Sequence, residues 1–298
     1  MAQSSQEARD LYQRGRQRYT RGDFDGAIAD YTRAILLTTR IQASQKDRGE
    51  SGKLKLGLVP DETDTPGIAL LDPMAAAIYA DRSLARYARG DLDGAMEDCE
   101  RAINIDPGLG TAYFDRGNVR AARGDMDGAI ADFSRAITID PRDGLAFNNR
   151  GGQLYKKGDI KDALADYDRA IALSPRVAEI YANRAIARRD HGDLDGAVAD
   201  CDRAIKLNPR LAMAFHARGL TRFLRKEIEG SISDFSRAIE LDPGFAEAHA
   251  NRGLAQLLLG RDSKAKEDFD QCLRLDPSLE TELQRRIQAV KRSPVGSQ

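Results

Sequence analysis

The sequence repeats with a period of 34 residues, and this period constrains the fold more than any other feature. Its first mark is a Gly-Asp pair, found at Gly22-Asp23, Gly90-Asp91, Gly124-Asp125, Gly158-Asp159 and Gly192-Asp193. Its second mark is a proline, found at Pro73, Pro107, Pro141, Pro175, Pro209, Pro243 and Pro277. Such a period indicates an array in which each repeat buries its apolar face only by stacking on its neighbours.

Within one repeat, residues 110–143, the pattern predicts two antiparallel helices. Asp140 and Pro141 mark the border to the next repeat, because Asp caps free N–H groups and Pro is tolerated at the first helical position. Gly124 supplies the turn between the helices. The second helix carries apolar and small residues on one face, at Ala129, Ile130, Phe133, Ala136 and Ile137. We therefore expect helix pairs that stack along the chain.

These positions resemble the tetratricopeptide repeat, which has a bulky residue, a small residue, an alanine, an aromatic residue, a second alanine and a proline at fixed spacing. In residues 110–143 they are Tyr113, Gly117, Ala129, Phe133, Ala136 and Pro141. The resemblance covers seven repeats, at about residues 8–40, 76–109, 110–143, 144–177, 178–211, 212–245 and 246–279. We predict an all-α fold, a right-handed α-solenoid of about seven antiparallel helix pairs with a C-terminal capping helix.

The first repeat is separated from the others. Gly22 and Gly90 are 68 residues apart, twice the period, yet residues 41–73 lack the small and aromatic repeat positions. We expect an N-terminal tail over residues 1–7, a first repeat with an extended second helix over 8–46, an insertion loop over 47–73 and six contiguous repeats over 74–279. The loop is interpreted as a tolerated insertion, with a functional lid as the alternative.

An apolar stripe predicts a capping helix over residues 280–292, followed by a tail over 293–298. The stripe consists of Leu279, Leu283, Ile287 and Val290. The basic residues of the same segment are interpreted as a solvated outer face, with a docking face as the alternative; they are Arg285, Arg286, Lys291 and Arg292.

Composition excludes several classes of partner and site. A formal charge of −1 gives no general attraction to nucleic acid or to an anionic membrane, and no apolar run is long enough for direct membrane insertion. The N-terminal residues contain no hydrophobic signal core, so we expect a cytoplasmic protein, or a periplasmic one if an export signal has been removed. The three cysteines are expected to be small buried apolar residues, and the histidines form no metal set, so we predict no cofactor.

Two ladders of charge are expected to be structural. One is Arg14, Arg82, Arg116, Arg150, Arg184, Arg218 and Arg252, and the other is Asp30, Asp98, Asp132, Asp166, Asp200, Asp234 and Asp268. Groups needed for selective chemistry would not recur in every repeat, whereas an arginine can pair with a carboxylate between helices throughout an array. No phosphate loop, metal signature or nucleophile arrangement is found, so we do not expect an enzyme.

Function is expected at groove positions that vary between repeats. The residue before each ladder arginine is Gln13, Asp81, Asp115, Asn149, Asn183, Ala217 or Asn251. This series resembles the asparagine ladder of the superhelical repeats of O-linked N-acetylglucosamine transferase, which implies binding of an extended peptide backbone, although acids and an alanine interrupt it. The predicted partner-binding groove contains Asn118, Asn148, Asn149, Tyr155, Asn183, Arg189, His216, Phe223 and Asn251.

A second family comparison argues against one kind of ligand. Chaperone-tail adaptors of this repeat class grip a terminal carboxylate with lysine, asparagine and arginine, but the matching positions here are Tyr12, Arg16, Asp81, Phe114 and Asn118. We therefore expect a non-catalytic scaffold that binds a peptide segment of a partner protein in the groove. The alternative is a structural subunit that docks through the solenoid edge or the terminal cap, and the sequence does not predict the oligomeric state.

Overall fold

The computed structural model describes residues 2–47 and 73–292, with side chains for residues 4–39 and 73–292. All regular secondary structure in these residues is helical, with fifteen α-helices and one short 3₁₀ turn. The helices are α1 (Ala2–Thr20), α2 (Phe24–Asp47), α3 (Pro73–Ala88), α4 (Leu92–Ile105), α5 (Gly110–Ala122), α6 (Met126–Ile139), α7 (Gly144–Lys157), α8 (Ile160–Leu173), α9 (Ala178–Asp190), α10 (Leu194–Leu207), α11 (Ala212–Leu224), α12 (Ile228–Leu241), α13 (Ala246–Leu258), α14 (Asp262–Leu275) and α15 (Glu280–Arg292). The 3₁₀ turn is Pro277–Leu279.

The chain divides into two compact units, which we call the N-terminal unit (Met1–Gln153) and the C-terminal unit (Leu154–Gln298). In the N-terminal unit, α3 packs against α1 and α5 as well as against its own partner α4. In the C-terminal unit, α11 contacts α9 and α13 in the same way, and α15 packs against α13. The odd-numbered helices of each unit therefore lie side by side, and we call this surface the first-helix face.

The turn inside each pair follows from two residues. Gly124 has a φ of +80°, a left-handed conformation that costs residues with a side chain more than glycine. Asp125 then caps α6, since its carboxylate accepts a hydrogen bond of 2.9 Å from the Gly128 amide. In the pair formed by α11 and α12 the glycine is replaced by Lys226, which keeps the left-handed φ at +64°.

The two helices of a pair approach closely because an aromatic ring lies directly on a glycine. A Cβ atom added to Gly117 would lie 2.7 Å from Phe133 Cε1, and one added to Gly219 would lie 2.6 Å from Phe235 Cε1. The ring of Phe133 thus covers the first helix of its own pair. Where the aromatic residue is replaced by Cys201, the facing position is Ala185, and both are buried. The larger residue on the first helix thus offsets part of the volume that the smaller facing residue leaves.

We expect Gly117→Ala to lower the free energy of unfolding. Overpacking costs about 1–3 kcal/mol, which exceeds the gain of up to about 1 kcal/mol from the better helix propensity of alanine. In a Phe133→Cys background the same change should raise stability, because the pair then matches Ala185 and Cys201. Chemical denaturation of the four proteins measures both effects, and the same sign in both backgrounds would contradict the packing.

The charge ladders join the two helices in six pairs of the described chain. The Nε and Nη2 atoms of Arg116 donate to the two carboxylate oxygens of Asp132 at 2.9 and 2.8 Å. The same two-pronged pairing, with N–O distances between 2.6 and 2.9 Å, joins Arg14 to Asp30, Arg82 to Asp98, Arg184 to Asp200, Arg218 to Asp234 and Arg252 to Asp268. The structural role predicted for these ladders is confirmed.

A second arginine, one helical turn further along the first helix, shares the same carboxylate. Arg120 Nη1 lies 2.8 Å from Asp132 Oδ2, and Arg86 Nη1 lies 3.0 Å from Asp98 Oδ2. The ladder arginines also reach the preceding pair: Arg184 Nη1 donates to Asp168 at 2.6 Å. Each of these buried carboxylates therefore joins the two helices of its pair, while a remaining N–H group of a ladder arginine can bond to the preceding pair.

We expect Asp132→Ala to destabilise the fold by about 3 kcal/mol, because it leaves two partly buried guanidinium groups without a carboxylate. The control is Glu97→Ala, which removes an exposed acid and should change stability by less than about 0.5 kcal/mol. Thermal unfolding compares the two, and equal midpoints would show that the ladder contributes nothing to stability.

The ends of the described chain differ in part from the sequence prediction. Residues 2–7, predicted as a tail, belong to α1, since no glycine or proline interrupts the helix there. Helix α2 continues to Asp47, and α15 spans the range predicted for the capping helix. Residues 48–72, which contain nearly all of the predicted insertion loop, and the tail at 293–298 lie outside the described residues.

Candidate functional site

The first-helix face of the N-terminal unit contains a chain of carboxamides between α5 and α7. Asn149 Nδ2 donates to Asn118 Oδ1 at 2.9 Å, and Asn148 Nδ2 donates to Asn149 Oδ1 at 3.0 Å. All three side chains are half-buried. A carboxamide both donates and accepts, so this cluster can bind the N–H and C=O groups of a passing main chain without regard to its sequence.

The same face carries two acids on neighbouring helices, Asp81 on α3 and Asp115 on α5. Asp81 lies 3.5 Å from Arg16 Nε, whereas Asp115 is only 5% exposed. Among the described residues, no side chain or backbone group forms a hydrogen bond or ion pair with Asp115. Burial, and then the charge of Asp81, raise the pKa of Asp115 well above its usual value.

Asp115→Asn should change the pH dependence of stability. A carboxyl group whose folded pKa is raised stabilises the fold less as pH rises from its unfolded pKa, about 3.9, through its folded pKa. The free energy of unfolding of the variant, relative to wild type, should therefore increase between about pH 4 and pH 7. Urea titrations across this range measure it. A constant difference would show that the group ionises as easily in the folded state as in the unfolded one.

In the C-terminal unit, Tyr155 and Arg189 converge on one carboxylate. The Tyr155 hydroxyl donates to Asp190, and Arg189 Nε donates to the other oxygen of Asp190 at 2.8 Å. Burial and the hydrogen bond to Asp190 raise the pKa of Tyr155 to about 12, so the phenol stays protonated. The sequence prediction named Tyr155 and Arg189 but missed Asp190, which connects them.

The last predicted groove residues are covered by the capping helix. Asn251 is 5% exposed; its Nδ2 lies 2.8 Å from His216 Nε2, and its Oδ1 accepts from Arg286 on α15. Burial, together with the positive charges of Arg189 and Arg286, lowers the pKa of His216 to about 4. The neutral ring therefore accepts the Asn251 hydrogen bond.

This arrangement corrects the interpretation of Arg286 as part of a solvated outer face. The residue is half-buried and turned toward α13, because α15 occupies the place that the next first helix would take. Asn183 on α9 and Phe223 on α11 are half-buried positions of the first-helix face. The amides of Asn148 and Asn149 thus lie in one unit, and the covered Asn251 lies in the other.

The cysteines behave as the sequence predicted. Cys99, Cys201 and Cys272 are buried free thiols. Burial raises the pKa of Cys99 and of Cys201 to about 12, so neither thiol ionises at neutral pH. Within residues 2–47 and 73–292, no helix is both long and apolar enough to cross a bilayer.

Family models for one kind of repeat match three stretches of the chain. A model described as a tetratricopeptide repeat matches residues 110–144 and 150–212. A model described as a TPR repeat matches residues 219–260, and a further tetratricopeptide repeat model matches residues 246–279. Among curated proteins, none matches the chain.

Solved structures share the fold. A tetratricopeptide repeat protein from Parabacteroides merdae is 15% identical, with a TM-score of 0.65 over 95% of this chain and 99% of its own. The pilF protein of Pseudomonas aeruginosa is 18% identical, with a TM-score of 0.63 over 72% of this chain and 97% of its own. YrrB, described as a TPR protein with an unusual peptide-binding site, is 19% identical, with a TM-score of 0.50 over 66% of this chain and 100% of its own. These similarities confirm the all-α repeat fold.

Proposed function

Since this chain belongs to the tetratricopeptide repeat family, we propose that it is a non-catalytic scaffold that binds a peptide segment of a partner protein along its first-helix faces. Tetratricopeptide repeat proteins are protein-interaction scaffolds, and YrrB is described as having a peptide-binding site. The repeated positions hold the helix pairs together, because the ladder arginines and aspartates bond to each other. We call this repeated set of contacts the frame. The positions that vary along the first helices remain for a ligand.

One observation carries the proposal, the carboxamide chain of Asn118, Asn148 and Asn149. These side chains are half-buried on the first-helix face and are oriented by one another. Orientation before binding reduces the entropy lost on association. Asn118 and Asn149 each have more donor and acceptor sites than these two hydrogen bonds use, which suits a peptide main chain.

The proposed binding surface contains the residues that the sequence predicted, except for His216 and Asn251. Asn118, Asn148 and Asn149 serve the N-terminal unit, and Tyr155, Asn183, Arg189 and Phe223 serve the C-terminal unit. His216 and Asn251 are assigned instead to the contact with α15, because Asn251 is bonded on both sides and nearly inaccessible. We further propose a cytoplasmic location, with no nucleic-acid partner.

The double variant Asn149→Ala, Asn183→Ala should weaken partner binding. Each lost hydrogen bond is worth about 0.5–1.5 kcal/mol, so we expect an affinity about 5- to 150-fold lower. The partner is first captured by crosslinking in the source cell, and its purified form is then titrated against wild type and variant. Circular dichroism checks that both proteins are folded.

The matched control is Arg285→Ala on α15, an exposed side chain whose described partner is Glu282 on the same helix. It should bind the partner as wild type does. Unchanged affinity in the double variant together with weakened binding in the control would instead support a structural subunit that docks through its terminal cap.

A further inference from the structure

A buried acid without a partner is unusual in this molecule. The ladder carboxylates, such as Asp132, are buried too, but each of the six whose bonds are given above accepts two hydrogen bonds from an arginine. Asp115 is equally buried, and no described group bonds to it. Burying a carboxylate without a hydrogen bond or a cation is costly. Because burial raises its pKa, this carboxyl group is held toward its neutral form in the free protein, and a bound cation would favour the ionised form.

Asp115 does not stand alone, because the groups around it converge from three helices. Asp81 on α3 occupies the equivalent position one repeat earlier, and stacked neighbouring helices lie about 8–10 Å apart. Burial and then the charge of Asp81 raise the pKa of Asp115, and burial and then both carboxylates raise the pKa of Tyr19 on α1. The two acids therefore lie within electrostatic reach of each other and of one tyrosine hydroxyl.

The available positive charge does not neutralise this cluster. Arg16 lies 3.5 Å from Asp81 and remains 59% exposed, with its guanidinium carbon 5.9 Å from the centre of the Tyr12 ring. Arg116, the next residue after Asp115, is bonded to Asp132 on both donor sites of its fork. With both acids ionised, the cluster holds two negative charges and one nearby positive charge.

The chemistry of the cluster selects its ligand. A guanidinium group is planar, always charged and able to donate to two carboxylates at once, and it stacks on aromatic rings. Arg16 on Tyr12 already shows that an aromatic ring in this region accepts a guanidinium. A carboxylate or phosphate would meet two acids of its own sign.

We propose that Asp81 and Asp115 form a pocket for an arginine side chain of the partner segment, with Asp115 as its buried counter-ion. The inference rests on the proposed function, because it names one side chain of the segment bound at that surface. Carboxamides at Asn118 and Asn149 hold the main chain of that segment, and the acid pocket adds selectivity for its sequence. Repeats with asparagine or alanine at the same position lack this selectivity.

The test uses a small probe, so it does not depend on finding the partner. The full-length protein is titrated with N-acetyl-arginine-N′-methylamide and with its citrulline analogue, which has nearly the same shape and no charge. Backbone NMR shifts on α3 and α5 report binding. We expect saturable shifts near Asp81 and Asp115 with arginine, and at least about tenfold weaker binding of citrulline.

Two variants with the same change in charge complete the design. Asp115→Asn should weaken arginine binding by roughly 10- to 100-fold, whereas Glu97→Gln, an exposed acid on α4, should leave it unchanged. Equal binding of the two probes, or an Asp115→Asn variant that binds arginine as wild type does, would overturn the pocket. These results are independent of the partner titration with the Asn149 and Asn183 variant, so either proposal can fail alone.

Discussion

The geometry of this protein depends on one pairing, a ladder arginine that donates through both prongs of its fork to an aspartate sixteen residues later. An isolated ion pair of this kind contributes little at a surface, but here the carboxylate is buried and a second arginine shares it in several repeats. Because the fork is planar, it fixes orientation as well as distance. The same pairing between helices recurs in six pairs of the described chain.

This frame leaves the first-helix faces free to differ along the array. The pair of Gly117 and Phe133 and the pair of Ala185 and Cys201 show that even the core varies, with a larger residue on the first helix where the facing residue is smaller. On the faces, amides in one region give way to acids in another. Selectivity for a partner can then arise from several small sites along the first-helix faces. Different partners require different residues at these sites, while the repeated contacts stay the same.

Most of the frame could be predicted from the sequence, because its causes are local. The 34-residue period, the glycine of each turn and the aspartate cap act within a few residues of one another, and the structure places them as expected. The candidate site was harder to predict. In the sequence, Asp115 only interrupts a series of asparagines. Its burial depends on how α3 and α5 pack, which the sequence does not show. Arg286 was predicted to be exposed, because its contact with Asn251 joins residues 35 positions apart and leaves no local signal in the sequence.

The central claim is that repeated positions build the frame and that the unrepeated first-helix face binds the partner. Site-specific photo-crosslinking tests it most directly, with a benzophenone amino acid placed at Asn118 on α5 or at Thr138, an exposed position on α6 of the same pair. Both proteins are irradiated with the captured partner, and crosslinked product is measured by mass spectrometry. The account predicts crosslinks from position 118 and none from position 138. Crosslinks from position 138 alone would contradict it.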